Sequence, residues 1–228
     1  MQDDIQKSRQ AAGKAAADLI KSGMLVGLGT GTTAAFFIES LIERFQNEHL
    51  DIKAFPSSER TAKLAIAGGI PLCGENSVTS LDMTIDGADE VDPQKRLIKG
   101  GGGALLREKI VASMSKELII IIDRNKLVNV LGGCPLPIEI VPFAHHATLA
   151  KIIDLGYQGV LRLKKDEQPY MTDNGNYIID ITFLNRCHTP EKDQAILSSI
   201  PGVIETGFFF NMATKVIVGQ ADGGTLVM

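Results

Sequence analysis

The sequence predicts an α/β protein in which a domain with a mostly parallel sheet is joined to a smaller α+β domain. Two observations lead to this prediction. Apolar strand-like segments alternate with helical segments through the first 131 residues, which is typical of a Rossmann-like parallel sheet. Later, the order becomes strand, helix, strand, strand, helix, strand, which is the split unit of a ferredoxin-like domain.

The first domain begins with a helical pattern over residues 4–21, and strands and helices then alternate. Strands are predicted at 24–28, 52–55, 81–85 and 118–122, and helices at 34–45, 59–67 and 104–116. Ser57 and Ser58 precede the helix at 59–67 and are good N-cap residues. The strand at 118–122 consists of Leu and Ile, which favours a strand covered on both faces.

A domain boundary is predicted near residue 131, where two glycines and three prolines interrupt the pattern. Strands are predicted beyond it at 138–141, 159–163, 177–183 and 203–208, and helices at 145–155 and 191–199. Asp173-Asn174-Gly175 predicts a hairpin turn between the middle strands. Strand-like tails at 215–219 and 225–227 are expected to return to the first domain. The predicted division is therefore 1–131 plus 209–228 for the α/β catalytic domain and 132–208 for the ferredoxin-like domain.

Composition indicates an ordinary globular protein. The 228 residues are 44% apolar with a formal charge of −4, which argues against nucleic acid or a membrane as the main partner. No apolar run approaches the length of a membrane span. Three scattered cysteines favour a reducing compartment, so we expect a cytoplasmic protein. Neither cysteines nor histidines show metal-ligand spacing, and no metal site is predicted.

A glycine-threonine turn follows the first predicted strand and precedes a predicted helix. Backbone N–H groups, the helix dipole and hydroxyl groups at such a turn suit a phosphate. The turn also fits the dinucleotide pattern GxGxxA, but that site needs an acid where this chain has Pro56-Ser57-Ser58. The candidate ligands are Thr30, Gly31, Thr32 and Thr33.

Two carboxylates, Asp86 and Asp89, follow the strand predicted at 81–85. Ligands of open α/β sheets bind at the carboxyl ends of the strands. Two close carboxylates can share a proton, which suits proton exchange with sugar hydroxyls. A cation site that also uses Glu90 and Asp92 is the second reading, and a solvated acidic turn is the third.

A lysine, a glycine run and a helix follow in the sequence. Lys99 precedes four glycines, whose backbone donors can approach a ligand closely. Lys99 could stabilise an oxyanion. Glu108 lies on the following helix with apolar neighbours, although periodicity does not separate it from Arg107 and Lys109. Lys126 follows the last strand of this half and could reach an anion at the glycine-threonine turn.

These motifs together resemble type A ribose-5-phosphate isomerase. The segments GLGTGTTAAFFIESL, PSSERTAKLA, DGADEVD, KGGGGALLREKI and PLPIEIVP occur in the order of that family, and the resemblance covers nearly the whole chain. It implies interconversion of ribose 5-phosphate and ribulose 5-phosphate in the pentose phosphate pathway, without metal or organic cofactor. It also implies a two-domain subunit that assembles as a homodimer or homotetramer.

The resemblance also implies roles for individual residues. The catalytic base falls on Glu108, and the other active-site groups fall on Asp86, Asp89 and Lys99. The implied substrate contacts are Thr30, Gly31, Thr32, Thr33, Gly87, Ala88, Gly100, Gly101, Gly102 and Lys126. Two positions depart from the family: Gly103 stands where relatives often have alanine, and Arg9 stands where some have a lysine near the phosphate.

Two other classes stay open from sequence. A nucleotide-dependent oxidoreductase would bind NAD. The absence of an acid at Ser57 and Ser58 argues against that class. A regulatory module that binds sugar phosphates could share the α/β core without turnover, but no helix-turn-helix or basic element is left over. A relative of CoA transferases or amino-sugar isomerases is a milder alternative.

Overall fold

The computed structural model describes residues 2–228, which form two compact units. The first comprises the residues up to 88, residues 107–127 and residues 211–228, and the second comprises residues 89–106 and 128–210. This division differs from the sequence-based one chiefly at 89–106. That segment groups with the second unit because its strands Glu90–Val91 and Leu97–Ile98 form a three-stranded sheet with Phe208–Phe209.

The first unit is built on a six-stranded sheet. From one edge to the other its strands are Thr225–Val227, Lys215–Gly219, Ser115–Asp123, Leu81–Gly87, Leu25–Leu28 and Lys53–Pro56. The first pair is antiparallel and every other pair is parallel. The predicted mostly parallel sheet and the return of the C-terminal strands to it are thus confirmed.

The helices of the first unit follow from apolar spacing and capping. They are Gln2–Ala17, Thr32–Glu48, Glu59–Ala67 and Leu105–Ser113, of which the last has its first two residues in the second unit. Phe37, Ile38 and Leu41 share one face of the second helix and are buried in the core of this unit, as helical periodicity requires. The Ser58 hydroxyl accepts a hydrogen bond from Thr61 N, so the predicted N-cap is confirmed.

The predicted end of the helix at residue 116 is wrong. The helix ends at Ser113, and the next strand already begins at Ser115. Ser115 pairs with Leu81, and Leu81 N donates to Met114 O at 2.8 Å. Pairing along the whole of Leu81–Gly87 therefore determines the conformation of residues 115 and 116, and local helix propensity does not.

The second unit contains a four-stranded antiparallel sheet with two helices. The strand order is Val203–Thr206, Leu136–Ile140, Tyr177–Thr182 and Gln158–Leu161, and the helices are His145–Asp154 and Pro190–Ser198. This is the order expected of a βαββαβ unit, so the ferredoxin-like prediction is confirmed. At the predicted hairpin turn, Gly175 N donates to Thr172 O at 2.9 Å.

The strand predicted at 203–208 is wrong in one respect, because it is interrupted at Gly207. Val203–Thr206 belongs to the four-stranded sheet and Phe208–Phe209 to the three-stranded one. Gly207 N donates to Pro137 O at 2.7 Å, and Gly207 O accepts from Lys99 N at 2.8 Å. A side chain on residue 207 would overlap the Lys99 carbonyl oxygen, so the change of sheet needs glycine here. Within residues 2–228, no helix is long and apolar enough to cross a membrane.

Candidate active site

Three strand ends of the first unit bring polar residues to one edge of the parallel sheet. Leu28 is in register with both Pro56 and Ile85. The glycine-threonine turn, the serine pair at 57 and 58, and Asp86 therefore lie at the same carboxyl edge, where ligands of open α/β sheets bind.

Asp86 is fixed against the glycine-threonine turn. Its Oδ1 accepts hydrogen bonds from Thr30 N at 3.0 Å and from Gly87 N at 2.7 Å. A Cβ on Gly29 would lie only 2.5 Å from Asp86 Cα, so this close approach requires glycine. Asp86 is 1% exposed, which excludes a solvated acidic turn at this position.

The prediction that the strand ends at Ile85 is wrong. The strand continues through Gly87 because Asp86 and Gly87 pair with Ile120 and Ile121. Asp86 is consequently held by the sheet itself and not by a loop, which gives its carboxylate a fixed position.

A cluster of hydroxyl groups holds the Thr30 side chain. Thr30 Oγ1 lies 2.8 Å from both Ser57 Oγ and Ser58 Oγ, and Thr61 Oγ1 donates to Gly29 O at 2.9 Å. From sequence, Ser57 and Ser58 were interpreted as N-cap residues and as evidence against an NAD site, but not as partners of Thr30. The available signal was the serine pair directly after a parallel strand, where an NAD-binding protein would place its acid.

The glycine-threonine turn leads directly into the N-terminus of the helix Thr32–Glu48. Gly31 has φ +119, and as N-cap residue it offers no side chain to the first turn of this helix. Thr32 is exposed and Thr33 is half-buried. Backbone N–H groups at such a helix N-terminus suit a phosphate.

Glu108 is the buried ionisable residue of its helix. It is 3% exposed, whereas Arg107 and Lys109 are only half-buried. Burial therefore distinguishes Glu108 from Arg107 and Lys109, which helical periodicity alone did not. A buried carboxylate on a helix is held in one position, as a general base must be.

Lys126 lies on a short 3-10 helix, Arg124–Lys126, and is half-buried. This turn is capped by Asp123, whose Oδ1 accepts from Asn125 N at 3.1 Å. The other carboxylate oxygen accepts from Arg9 Nε at 2.9 Å. Arg9 is thus an ion-pair partner of the residue that caps the Lys126 turn.

In the second unit, Asp89 is bound to the glycine loop, residues 100–103. Asp89 Oδ2 accepts from Gly101 N at 2.8 Å. The loop is a tight turn in which Gly103 N donates to Gly100 O at 2.9 Å, and Gly100 has φ +97, a conformation that favours glycine. Gly101 and Gly102 are exposed and can approach a ligand.

Lys99 is 2% exposed. Its backbone N–H donates to Gly207 O, and its Nζ lies 5.4 Å from the centre of the Phe209 ring. An ammonium group over an aromatic face is stabilised electrostatically. Burial of this side chain is consistent with a functional cation and not with an ordinary surface lysine.

The other acids of the DGADEVD segment have protein partners. Glu90 accepts from Gly132 N at 2.7 Å and Cys134 N at 2.8 Å. Asp92 accepts from Arg96 Nε at 2.6 Å. Among the described residues, no group of three His, Cys, Asp or Glu side chains is arranged to hold a metal. The proposed cation site is therefore not supported by the placement of these acids.

The structure brings predicted site residues together within each unit. Thr30 contacts Asp86 in the first unit, and Asp89 contacts Gly101 in the second. Gly87 and Ala88 follow Asp86 directly and are half-buried. The catalytic and binding roles assigned to these residues stay predictions.

An α/β sheet with a glycine-threonine turn at a helix N-terminus and a buried acid at its carboxyl edge is typical of enzymes that act on a small anionic substrate by acid-base chemistry. The comparisons narrow this class. The family described as ribose 5-phosphate isomerase A (phosphoriboisomerase A) matches residues 53–223. The chain belongs to this family.

Relatives match the chain over nearly its whole length. It is 48% identical to ribose-5-phosphate isomerase A of Protochlamydia amoebophila, over 97% of this chain and 95% of that protein. It is 51% identical to the protein of that name from Bacillus mycoides, over 94% and 96% of the two chains. The resemblance stated from sequence is confirmed.

Solved structures show the same fold. Ribose 5-phosphate isomerase A of Methanocaldococcus jannaschii has a TM-score of 0.92 with 36% identity over 98% of both chains. A D-ribose-5-phosphate isomerase in complex with phospho-erythronic acid has a TM-score of 0.93 with 38% identity, again over 98% of both chains.

Proposed function

We propose that this protein interconverts ribose 5-phosphate and ribulose 5-phosphate through an enediolate, as a step of the pentose phosphate pathway. The observation that carries the proposal is near full-length identity of about one half to ribose-5-phosphate isomerase A relatives. Asp86 and Glu108, two of the residues to which we assign proton transfer, are buried.

The phosphate is assigned to the glycine-threonine turn, with the Lys126 ammonium as counter-charge. The hydroxyl cluster around Thr30 supports this assignment because it fixes the Thr30 side chain in one rotamer. Once the phosphate is bound in one position, the remaining groups need only orient the sugar carbons. Part of the phosphate binding energy is therefore used to orient the reacting atoms.

Proton transfer is assigned to three acids. Glu108 takes the proton from C2 of the open-chain aldose and then delivers a proton to C1. The hydroxyl proton at O2 is lost and O1 gains one, so the ketose forms without net gain or loss of protons. Asp86 and Asp89 are assigned to moving these hydroxyl protons and to opening the furanose ring.

Lys99 and backbone N–H groups of the glycine loop are assigned to the enediolate oxygen. A cation and preorganised donors stabilise charge that exists only along the reaction path. Phospho-erythronic acid, the ligand of the similar solved enzyme, combines a phosphate with a carboxylate. Such a ligand suits a site in which one set of residues binds the phosphate and another set binds the two oxygen atoms of a carboxylate or an enediolate.

Finer properties belong to the same proposal. We place the protein in the cytoplasm as a homodimer or homotetramer that uses neither metal nor organic cofactor. The α/β domain, 1–131 plus 209–228, would be the catalytic one, accompanied by the ferredoxin-like domain, 132–208. Size-exclusion chromatography with light scattering measures the assembly.

The test is direct. Protein treated with a chelator and dialysed is mixed with ribose 5-phosphate, and ribulose 5-phosphate is measured. We expect conversion without added metal or nicotinamide cofactor. Absence of conversion would contradict the proposal. Binding of ribose 5-phosphate without turnover would favour a regulatory module, and activity only with NAD would favour an oxidoreductase.

A further inference from the structure

The glycine loop is held from one side by two side chains of the second unit. Arg162 Nη1 donates to Gly101 O at 3.1 Å and to Gly100 O at 3.3 Å. Tyr170 Oη donates to Gly102 O at 3.2 Å. Three consecutive glycine carbonyl groups thus accept hydrogen bonds from side chains.

Arg162 is itself fixed. Its Nε donates to Asp180 Oδ2 at 2.7 Å, and its Nη2 donates to Asp180 Oδ1, which makes a bidentate pair. Arg162 also lies over the Tyr170 ring, 5.7 Å from its centre. The Arg162 and Asp180 side chains are mostly buried, at 16% and 26% exposed, so this pair is geometrically well defined.

The Tyr170 hydroxyl keeps the proton that it donates to the Gly102 carbonyl. Burial raises the pKa of its hydroxyl above the ordinary value of 10.0. A tyrosine hydroxyl is already protonated at physiological pH, and this shift extends that state to higher pH, so Tyr170 can donate to the Gly102 carbonyl.

Holding the carbonyl groups also sets the directions of the amide N–H groups. A trans peptide is planar, so the N–H of each residue points opposite to the C=O of the residue before it. With the Gly100 carbonyl turned towards Arg162, the Gly101 N–H points to Asp89, as observed. With the Gly101 carbonyl held in the same way, the Gly102 N–H is turned away from Arg162.

We propose that Arg162, anchored by Asp180, and Tyr170 are positioning residues that fix the peptide orientations of the glycine loop for catalysis. They set the hydrogen bond from Gly101 to Asp89 and aim the Gly102 N–H at the developing oxyanion. Asp89, Gly101, Cys134, Pro135, Arg162 and Asp180 line one cavity of about 330 Å³. This inference rests on the proposed isomerase function.

The test compares two arginines of the same unit. Arg162→Ala removes the donors to the loop. Arg96→Ala is the matched control, because Arg96 also pairs with an aspartate, Asp92, and with Glu191 at 2.9 Å. Arg96 thus donates to carboxylates, whereas Arg162 also donates to two glycine carbonyl groups. The unfolding free energy of both variants is measured by urea denaturation, and their kcat and KM are measured with ribose 5-phosphate.

We expect Arg162→Ala to lower kcat about 10- to 100-fold with KM changed less than about threefold, because misaligned donors fail mainly in the transition state. Arg96→Ala should keep kcat within about twofold of the wild type, even where the loss of stability is similar. Methylguanidinium should restore part of the kcat of Arg162→Ala and should leave Arg96→Ala unchanged.

Tyr170→Phe provides a second test that removes a single oxygen atom and keeps the ring beside Arg162. We expect a fall in kcat of about three- to tenfold with wild-type folding. Wild-type kcat in both Arg162→Ala and Tyr170→Phe would overturn the inference, as would an equal loss in Arg96→Ala or a loss confined to KM. A wild-type protein without isomerase activity would instead overturn the proposed function.

Discussion

Replacing Gly29 with alanine should displace Asp86 without changing its chemistry. The added Cβ would overlap the Asp86 carboxylate and lie 2.5 Å from its Cα, whereas ordinary contact begins at 3.4 Å. Because the Cα belongs to the backbone, no change of rotamer relieves the overlap. The turn and the strand must separate by roughly 1 Å, which also weakens the Thr30 N–H bond to Asp86.

The expected effects differ in size for stability and for rate. Overpacking of this kind costs about 1–3 kcal/mol of unfolding free energy, which leaves a typical domain folded. A misplacement of about 1 Å at a catalytic group costs on the order of 100-fold in rate. We therefore expect a folded Gly29→Ala variant with kcat lower by about two orders of magnitude.

Gly23→Ala is the control. Gly23 has φ +91 with nothing within 4 Å of an added Cβ, so alanine there costs about 1–2 kcal/mol through backbone strain alone. Urea denaturation and ribose 5-phosphate kinetics are measured on both variants. Wild-type kcat in Gly29→Ala, or an equal loss of kcat in Gly23→Ala, would refute the reasoning.

Three further predictions concern other parts of the chain. Glu108→Gln should lower kcat by about 100-fold or more with little change in KM, because a positioned base contributes roughly 10²–10⁴; near-normal turnover would remove Glu108 from this role. Burial and the hydrogen bond to Asp193 raise the pKa of the Cys187 thiol above its ordinary value of 9.0. The folded protein then keeps a proton that the unfolded chain loses, so unfolding free energy should fall above about pH 9 by up to about 1.4 kcal/mol per pH unit, and Cys187→Ala should flatten that slope in urea titrations. Gly103→Ala should destabilise the protein, because φ is +85 and the new Cβ would lie 2.6 Å from Tyr170 Cζ. Adding Tyr170→Ala should recover part of that loss with a coupling of about 0.5–3 kcal/mol, and strictly additive losses would contradict this account.

The fold followed from sequence wherever local pattern and tertiary pairing agree. Ser58 is both a good N-cap and the end of a turn after a parallel strand, and its helix was placed at the right residues. Residues 115 and 116 were misassigned because their conformation depends on pairing with Leu81–Gly87, far away in the sequence. The three-stranded sheet was missed because its strands have only two residues each.

Contacts within the candidate site were predictable where residue types are informative by themselves. Asp86 and Thr30 were singled out from their positions after strands, and the structure shows them in contact. Arg162 and Tyr170 carry no motif and lie some 60 to 70 residues from the glycines that they hold. Only the fold of the second unit brings them to the loop, so no local pattern could have shown their place.

The most direct test of the central claim is the conversion of ribose 5-phosphate by the wild-type protein in D₂O, followed by NMR. Proton transfer through a carboxylate predicts ribulose 5-phosphate that carries deuterium at C1, because a proton on the Glu108 carboxyl exchanges with solvent during the life of the enediolate. Absence of ribulose 5-phosphate, or product without deuterium at C1 at any extent of conversion, would contradict the account.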